Sequence, residues 1–329
     1  MKKRTILFLF VVFVSLAASA QKQYVTSFTI TDLNNSRLES SIEATMTALV
    51  SEINQAHAEK RTPRLQSINA TEQTKESISM MWENSPFRCL EPEIVESASK
   101  MYSSNEYEIR NIPFTFTDFE DDDQYHEAAV TFNSSGVITS FHMVISQNLY
   151  SKVMKSNNTV KDLRRRQMIL DYVEQFRTAY NTKDLNFLNQ IFSDDALIIT
   201  GTVITVKHAE GFSSQKIRYN KQNKEQYLKN LRGVFARNAY IKVDFDEIEV
   251  MRHPVNPNFY GVTLKQWWTT GRKRGEGGVG YHDEGYVFLL WDFSNENAPQ
   301  IHVRTWQPEM LNGKPLPKED KFGLGDFDI

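Results

Sequence analysis

Cysteine is almost absent: Cys89 is the only one in 329 residues, so no internal disulfide can form and packing alone must hold the fold. Set among Pro86, Phe87, Arg88 and Leu90, its thiol reads as a small buried apolar group before it reads as a nucleophile. Positive charge is in deficit as well. Lys and Arg number 38 against 41 Asp and Glu, which argues against nucleic acid as a partner, because phosphate backbones demand a basic stripe. No Gly-Lys-Ser/Thr follows a strand, so the glycine-rich run Arg272 to Gly280 is a hairpin loop and not a phosphate cradle. Glu120 to Asp123 lacks the alternating ligands and the glycine of a calcium loop and reads as a solvated hairpin tip. His282 and His302 have no third ligand nearby in sequence to make a zinc site. No metal and no cofactor is expected.

What is present begins with Lys2, Lys3 and Arg4, an apolar run from Ile6 to Val14, and Ala18-Ser19-Ala20 ahead of Gln21. That is the three-part layout of a secretory signal peptide over residues 1–20; the run is shorter than the roughly 20 residues a membrane span needs. Removing the leader takes three cations with it and lowers the net charge from −3 to −6. A cysteine after the cut would be needed for a lipid anchor, and Gln21 stands there. The expected destination is periplasmic or secreted, with no transmembrane segment in the mature chain. A mature chain of this length suits two domains.

In the first of these, residues 21–158, a short strand over Tyr24 to Ile30 precedes a long helix. Leu38, Ile42, Met46, Leu49 and Ile53 make its stripe, and Ser36 with Glu39 has the spacing of a capping box. A second helix is predicted over Glu72 to Trp82, and a third from Pro92 through Ile94, Val95, Ala98, Met101 and Tyr102. Strands follow over Tyr107 to Phe119, Tyr125 to Phe132 and Val137 to Ile145. The polar stretch from Ser151 to Asn158 marks a boundary near Thr159.

Beyond it Arg164-Arg165-Arg166 opens a helix, read as a solvated face or as inter-domain salt bridges. Ile169, Tyr172, Val173, Phe176 and Tyr180 form its apolar stripe. A short helix over Leu185 to Phe192, a strand from Ala196 to Thr200, a polar loop and a helix from Lys224 to Phe235 come next. Strand parity then becomes informative. Ile241, Val243 and Phe245 share one face, but Ile248 and Val250 have changed sides, which requires a bulge or bend at Asp246-Glu247. Trp267 and Trp268 must point to opposite faces, and Tyr286 to Trp291 is apolar without alternation. Both faces of this sheet should be covered, one by helices and the other by a second domain or subunit. The tail from Lys321 to Ile329 carries Phe322, Leu324, Phe327 and Ile329 and should dock.

The order of these elements, with Tyr180-Asn181-Thr182-Lys183-Asp184, Phe192-Ser193-Asp194-Asp195-Ala196 and the closing Ile301-His302-Val303-Arg304-Thr305-Trp306, resembles the nuclear transport factor 2-like superfamily. The resemblance spans roughly Asp162 to Pro308. It implies an α+β fold whose residues 159–312 form a curved antiparallel sheet wrapped around a long helix, with residues 313–329 as a docking tail. The whole layout is also similar to exported proteins of Bacteroides-type bacteria. Thr131 to Ile138 resembles a strand-turn-strand of the same fold, which leaves open that the first half is a diverged copy.

The superfamily hosts enzymes and binding modules alike. In its enzymes acids and bases project into the cone, so His302, Asp195 and Asp283, with His282, are the candidates for proton transfer; a tyrosine with two buried acids, the isomerase arrangement, is not found here. Tyr172, Phe176, Tyr180, Trp267, Tyr281, Arg304 and Trp306 are the candidate pocket lining. Simple alternation puts His302, Arg304 and Trp306 on one face of the last strand and Ile301, Val303 and Thr305 on the other. Facing inward, the first set would give a polar floor for an anionic or hydroxylated ligand; facing outward, it would make interface or solvent contacts. The expected function is a ligand-binding or protein-interaction module of the cell envelope, the alternative a cyclase-, dehydratase- or hydrolase-type enzyme. An unknown small molecule, an envelope protein or a second copy of the chain are the partners this allows.

Overall fold

The computed structural model describes residues 24–84, 86–102, 104–116, 125–156, 159–207, 212–271 and 280–327. The expected leader, the acidic run Glu120 to Asp123, the loop from Arg272 to Val279 and the last two residues of the tail lie outside the described residues. The chain divides into two compact units, Met1–His142 and Met143–Ile329, so the division falls ahead of the polar stretch in which a boundary was expected.

The first unit opens with β1 (Ser27–Thr31) and α1 (Ser36–Glu59). All five stripe residues of α1 are buried. Its cap is Asn35 and not Ser36: the Asn35 carboxamide accepts from the Leu38 N–H at 3.2 Å, since Asn is as strong a cap as Ser. After α2 (Glu72–Asn84) and β2 (Phe87–Arg88) comes a correction. The helix expected from Pro92 does not form; β3 (Glu93–Ser97) pairs parallel with β1, and β4 (Ser99–Lys100) pairs with Tyr107 and Glu108 of the next strand. Ile94 and Ala98 are both buried while Val95 is exposed, and a spacing of four satisfies the two-residue period of a strand as well as the helical one. The free edge of β1 decides between them. β5 (Tyr107–Phe116), β6 (Tyr125–Phe132) and β7 (Ile138–Val144) complete a sheet in the order β2-β5-β6-β7, under which Phe87 and Phe114 meet edge to face at 5.1 Å. Cys89 is buried here, its backbone N–H held by Asn54 Oδ1 at 2.8 Å, and burial pushes its thiol pKa up.

In the second unit, part of the expected polar linker is helical: α3 (Gln147–Lys155) precedes α4 (Leu163–Asn181). The arginine run divides between two roles. Arg164 and Arg165 both pair with Glu296. Arg166 is buried, and its guanidinium donates to the carbonyls of Val153 at 3.1 Å, Ser156 at 2.9 Å and Val160 at 3.1 Å. A guanidinium thus closes the unsatisfied end of α3, a role neither solvated nor inter-domain.

After α5 (Leu185–Ile191) come β8 (Phe192–Lys207), β9 (Ser213–Asn223), α6 (Lys224–Arg237), β10 (Tyr240–Arg252), β11 (Phe259–Gly271), β12 (Tyr281–Asp292) and β13 (Gln300–Pro308). Their order is β10-β11-β12-β13-β8-β9, antiparallel except where β13 meets β8 in parallel. The segment expected as a polar loop is β9. It pairs with β8 along its whole length, and being mostly exposed on both faces it carries no apolar alternation to announce it. The bulge expected at Asp246-Glu247 is present as a register shift between Asp246 and Glu249, with Glu247 at φ 48°.

Side chains of the inner face, among them Val262, Leu264, Val287, Leu289, Trp291 and Ile301, form one core with Ile169, Val173, Phe176 and Tyr180 of α4. The opposite face is greasy too, at Phe259, Phe288, Leu290 and Val303, and there the chain's own tail supplies the cover through Phe322, Leu324 and Phe327. Phe327 stacks on Phe288 at 5.4 Å. Gln307 anchors the tail, accepting from the Phe322 N–H at 2.7 Å and donating to the Asp320 carbonyl at 2.8 Å. Gly261 makes the approach possible, since a Cβ there would lie 2.7 Å from Leu324 Cγ. Residues of the same chain thus cover this patch, on the face expected to meet a second domain or subunit.

Three half-buried side chains at about 1 kcal/mol each make the tail worth roughly 3 kcal/mol. Truncation after Lys321 should lower the urea-unfolding free energy by about that amount and make the protein self-associate through the bared patch; an unchanged midpoint with a monomeric product would show the docking to be energetically idle.

Candidate functional site

The last turns of α4 bring Phe176 and Tyr180 against the inner face of the sheet. Tyr180 is fully buried, its ring 4.9 Å from Phe176 and 5.5 Å from Trp268. Its hydroxyl shares a hydrogen bond with that of Tyr227, on α6, at 2.7 Å. Over these two rings lies the guanidinium of Arg304, 5.9 Å from the centroid of Tyr180 and 5.4 Å from that of Tyr227. Arg304 is 4% exposed, yet its Nε has no hydrogen-bond partner. Among the described residues no carboxylate pairs with it. Burial raises the Tyr180 phenol well above its ordinary pKa, so this tyrosine stays neutral and cannot serve as counter-charge.

From this floor the inner face grades outward. Gln266, two residues from Trp268 on β11, is 2% exposed and leaves its Oε1 unpartnered. Trp268 and Trp306 are half-buried, and Trp306 leans over Gly285 of β12, whose partner on β11 is Gln266. A Cβ at Gly285 would lie 2.7 Å from Trp306 Cε2, so the bare backbone is what lets the indole lean in. Asp283, paired across the ladder with Trp268, is half-buried, and exposed Tyr281 donates its hydroxyl to Asp283 Oδ2 at 2.5 Å. Burial pushes the Asp283 carboxyl above the usual aspartate range even though this hydrogen bond pulls it down.

Six of the seven residues expected to line a pocket, Tyr172, Phe176, Tyr180, Tyr281, Arg304 and Trp306, therefore lie on this face or on the helix against it. Tyr172 lies on α4 nearer Trp291 and Phe293, at 6.1 and 6.0 Å. Trp267 points the other way, under the Lys265 ammonium at 4.7 Å, and its neighbour Trp268 takes the inward place.

His302 is separated from Arg304 and Trp306 by a feature that alternation alone did not show. Leu290 pairs with Val303 but Trp291 pairs with Ile301, so His302 is an extra residue in β13 and the parity slips by one. Ile301 and Arg304 both turn inward, and His302 is left beside Phe259 at 5.4 Å, between Asp195 at 3.4 Å and Asp292 at 3.8 Å. The Asp195 side chain is 79% exposed. A hydrogen bond from Ser193, more than the nearby His302, holds its carboxyl below the usual range. His282 is exposed, bonded to Thr269 at 2.9 Å. No cluster of three or more His, Cys, Asp or Glu able to hold a metal exists among the described residues.

Tyr227 on α6, with Gln266 and Trp268 on the inner face, are the residues that sequence reasoning left out of the lining. A signal for Gln266 was available: it breaks the apolar alternation Tyr260, Val262, Leu264, Trp268. A separate cavity of about 520 Å³ lies between α3 and β10, lined in part by Leu149, Lys152, Thr159, Glu247 and Glu249, and holds none of the expected residues.

No family model matches the chain, and no curated protein matches it. Solved structures do show similarity. A nuclear transport factor 2-like superfamily protein from Salmonella enterica matches at 12% identity, over 47% of this chain and 96% of its own, with a TM-score of 0.34. A candidate scytalone dehydratase from Novosphingobium aromaticivorans matches at 12% identity, over 46% of this chain and 87% of its own, with a TM-score of 0.32. Bd1075 from Bdellovibrio bacteriovorus matches at 15% identity and a TM-score of 0.32, over 52% of this chain, which spans only 47% of that protein's length. Scores of this size carry no weight for function; the helix-filled curved sheet rests on its own strand order and core.

Asp283 makes the site's electrostatics measurable. A carboxyl whose folded-state pKa is raised holds its proton more tightly in the folded chain, so its contribution to stability is present at low pH. It is lost as the pH rises from the ordinary aspartate value through the raised one. Asp283→Asn should flatten that decline, and Tyr281→Phe should move the Asp283 titration, read by carboxyl NMR, further upward. A midpoint at or below that of a free aspartate would contradict the burial assigned here.

Proposed function

We propose that the second unit is a small-molecule binding module of an exported, cell-envelope protein, with its ligand held at the inner-face end built from Trp268, Trp306, Tyr180, Tyr227 and Arg304. The observation that carries this is the grading of exposure along one face, from Tyr281 outside, through half-buried Asp283 and two indoles, to a buried guanidinium that no carboxylate among the described residues pairs with. Protein cores do not ordinarily retain an unpaired charge, because desolvating it costs several kcal/mol. A binding site retains one for what it will meet.

An acid–base enzyme is the second possibility, supported by the 3.4 Å approach of His302 to Asp195. Two features weigh against it. The pair lies away from the inner face, and an aspartate with a depressed pKa is a poor proton acceptor near neutrality. Export is supported by the leader alone, and a periplasmic or secreted destination belongs to the same proposal.

Native mass spectrometry of protein recovered from an exporting host should show an added small-molecule mass in the wild type, in Trp267→Ala and in His302→Ala, and none in Trp268→Ala. Bare protein in all four would remove the binding role, and dependence on His302 in place of Trp268 would return the case to the enzyme. Amino-terminal sequencing of the same material should begin at Gln21; an intact Met1 in the envelope fraction would end the export proposal.

A further inference from the structure

Resting on the binding role just proposed, we infer that the ligand is a small organic monoanion, a carboxylate on a flat apolar body, with the carboxylate seated on Arg304. Three observations converge on that chemistry.

The first is charge. Arg304 is permanently ionised at any physiological pH and nearly inaccessible to water in the free protein; it hydrogen-bonds the Tyr180 hydroxyl, but its Nε has no acceptor. The rings of Tyr180 and Tyr227 offset part of its desolvation through their π faces, but they offer no formal negative charge. The second is hydrogen-bond count. Two hydroxyls bonded to each other use one of their two protons, so the Tyr180–Tyr227 pair has one O–H left to donate. A guanidinium edge with a spare hydroxyl proton matches the two oxygens of a carboxylate. A dianionic phosphate would call for a second cation, and two nearby lysines are engaged elsewhere: Lys265 of β11 with Glu309 and Glu284, and Lys224 at the start of α6 with Asp194. The third is shape. Trp268 and Trp306 present half-buried indoles on the inner face, flat apolar surfaces suited to a planar apolar group.

The same facts give the free protein an unusual response to losing the arginine. A guanidinium that anchored the core would leave a hole when shortened, and stability would fall. One held without a counter-ion is a liability in the empty protein, and an apolar side chain of similar length should be tolerated or should stabilise.

The test uses the full mature chain with benzoate, its neutral isostere benzamide, and phenyl phosphate, followed by tryptophan fluorescence and calorimetry. Benzoate should saturate and benzamide should not, with phenyl phosphate weaker than benzoate. Arg304→Met should keep or raise the melting temperature and weaken benzoate by about tenfold to a hundredfold, the worth of a charge-assisted hydrogen bond. Arg304→Lys, which keeps the charge and loses the fork, should fall between. Equal binding of benzoate and benzamide would overturn the anion and leave the small-molecule role standing. Tighter binding of phenyl phosphate would overturn the monoanion, and no binding of benzoate would overturn the inference outright. A lowered melting temperature in both Arg304 variants, with benzoate affinity unchanged in Arg304→Lys, would assign the guanidinium to the core instead.

Discussion

One inserted residue governs the chemistry of the second unit. A strand that alternated strictly through β13 would set His302 beside Arg304 and Trp306 and send Ile301 to the opposite face. With His302 left over between two ladder pairs, Ile301 completes the core beneath α4 while Arg304 still reaches the rings of Tyr180 and Tyr227. The same slip places the imidazole among carboxylates near the surface. A bulge of this kind bends and twists its strand, and the irregularity of β10 at Glu247 does likewise on the far side of the sheet. Curvature and chemistry thus arise from the same local defects in pairing.

The doubled hydrophobicity of β11, β12 and β13 has a matching explanation. Helices α4, α5 and α6 fill one side, and a tail with little regular structure fills the other, held through Gln307 and three apolar side chains. Gln307 adjoins Trp306 in sequence, so the residue that secures the tail and the residue that flanks Gly285 share a strand segment and face opposite ways.

Much of this was legible in the residues. The stripe of α4, the double-sided strands, the bulge at Asp246-Glu247 and the docking of the tail each followed from a period or a break in one. What escaped did so for identifiable reasons. Ile94 and Ala98 obey helical and strand spacing equally, and only the edge offered by β1 chose between them. β9 is solvated on both faces, so no alternation marked it. The bulge at His302 was hidden because Ile301, Val303 and Trp306 are apolar whichever way they face. Trp267 and Trp268 were known to diverge, but which one turned inward depended on Tyr180, a contact across 88 positions of chain. Gln266, the polar break in the alternation Tyr260, Val262, Leu264, Trp268, carried a signal of its own.

Cys89 brings a different consequence. It is the sole thiol in the chain, shielded in the first unit and further subdued by a raised pKa, so an alkylating reagent can reach it only while that region is transiently open. The rate of its modification is therefore a built-in clock for local breathing. One atom of sulfur lets the looseness of that unit be timed without labels, mutations or interference from a second reactive side chain.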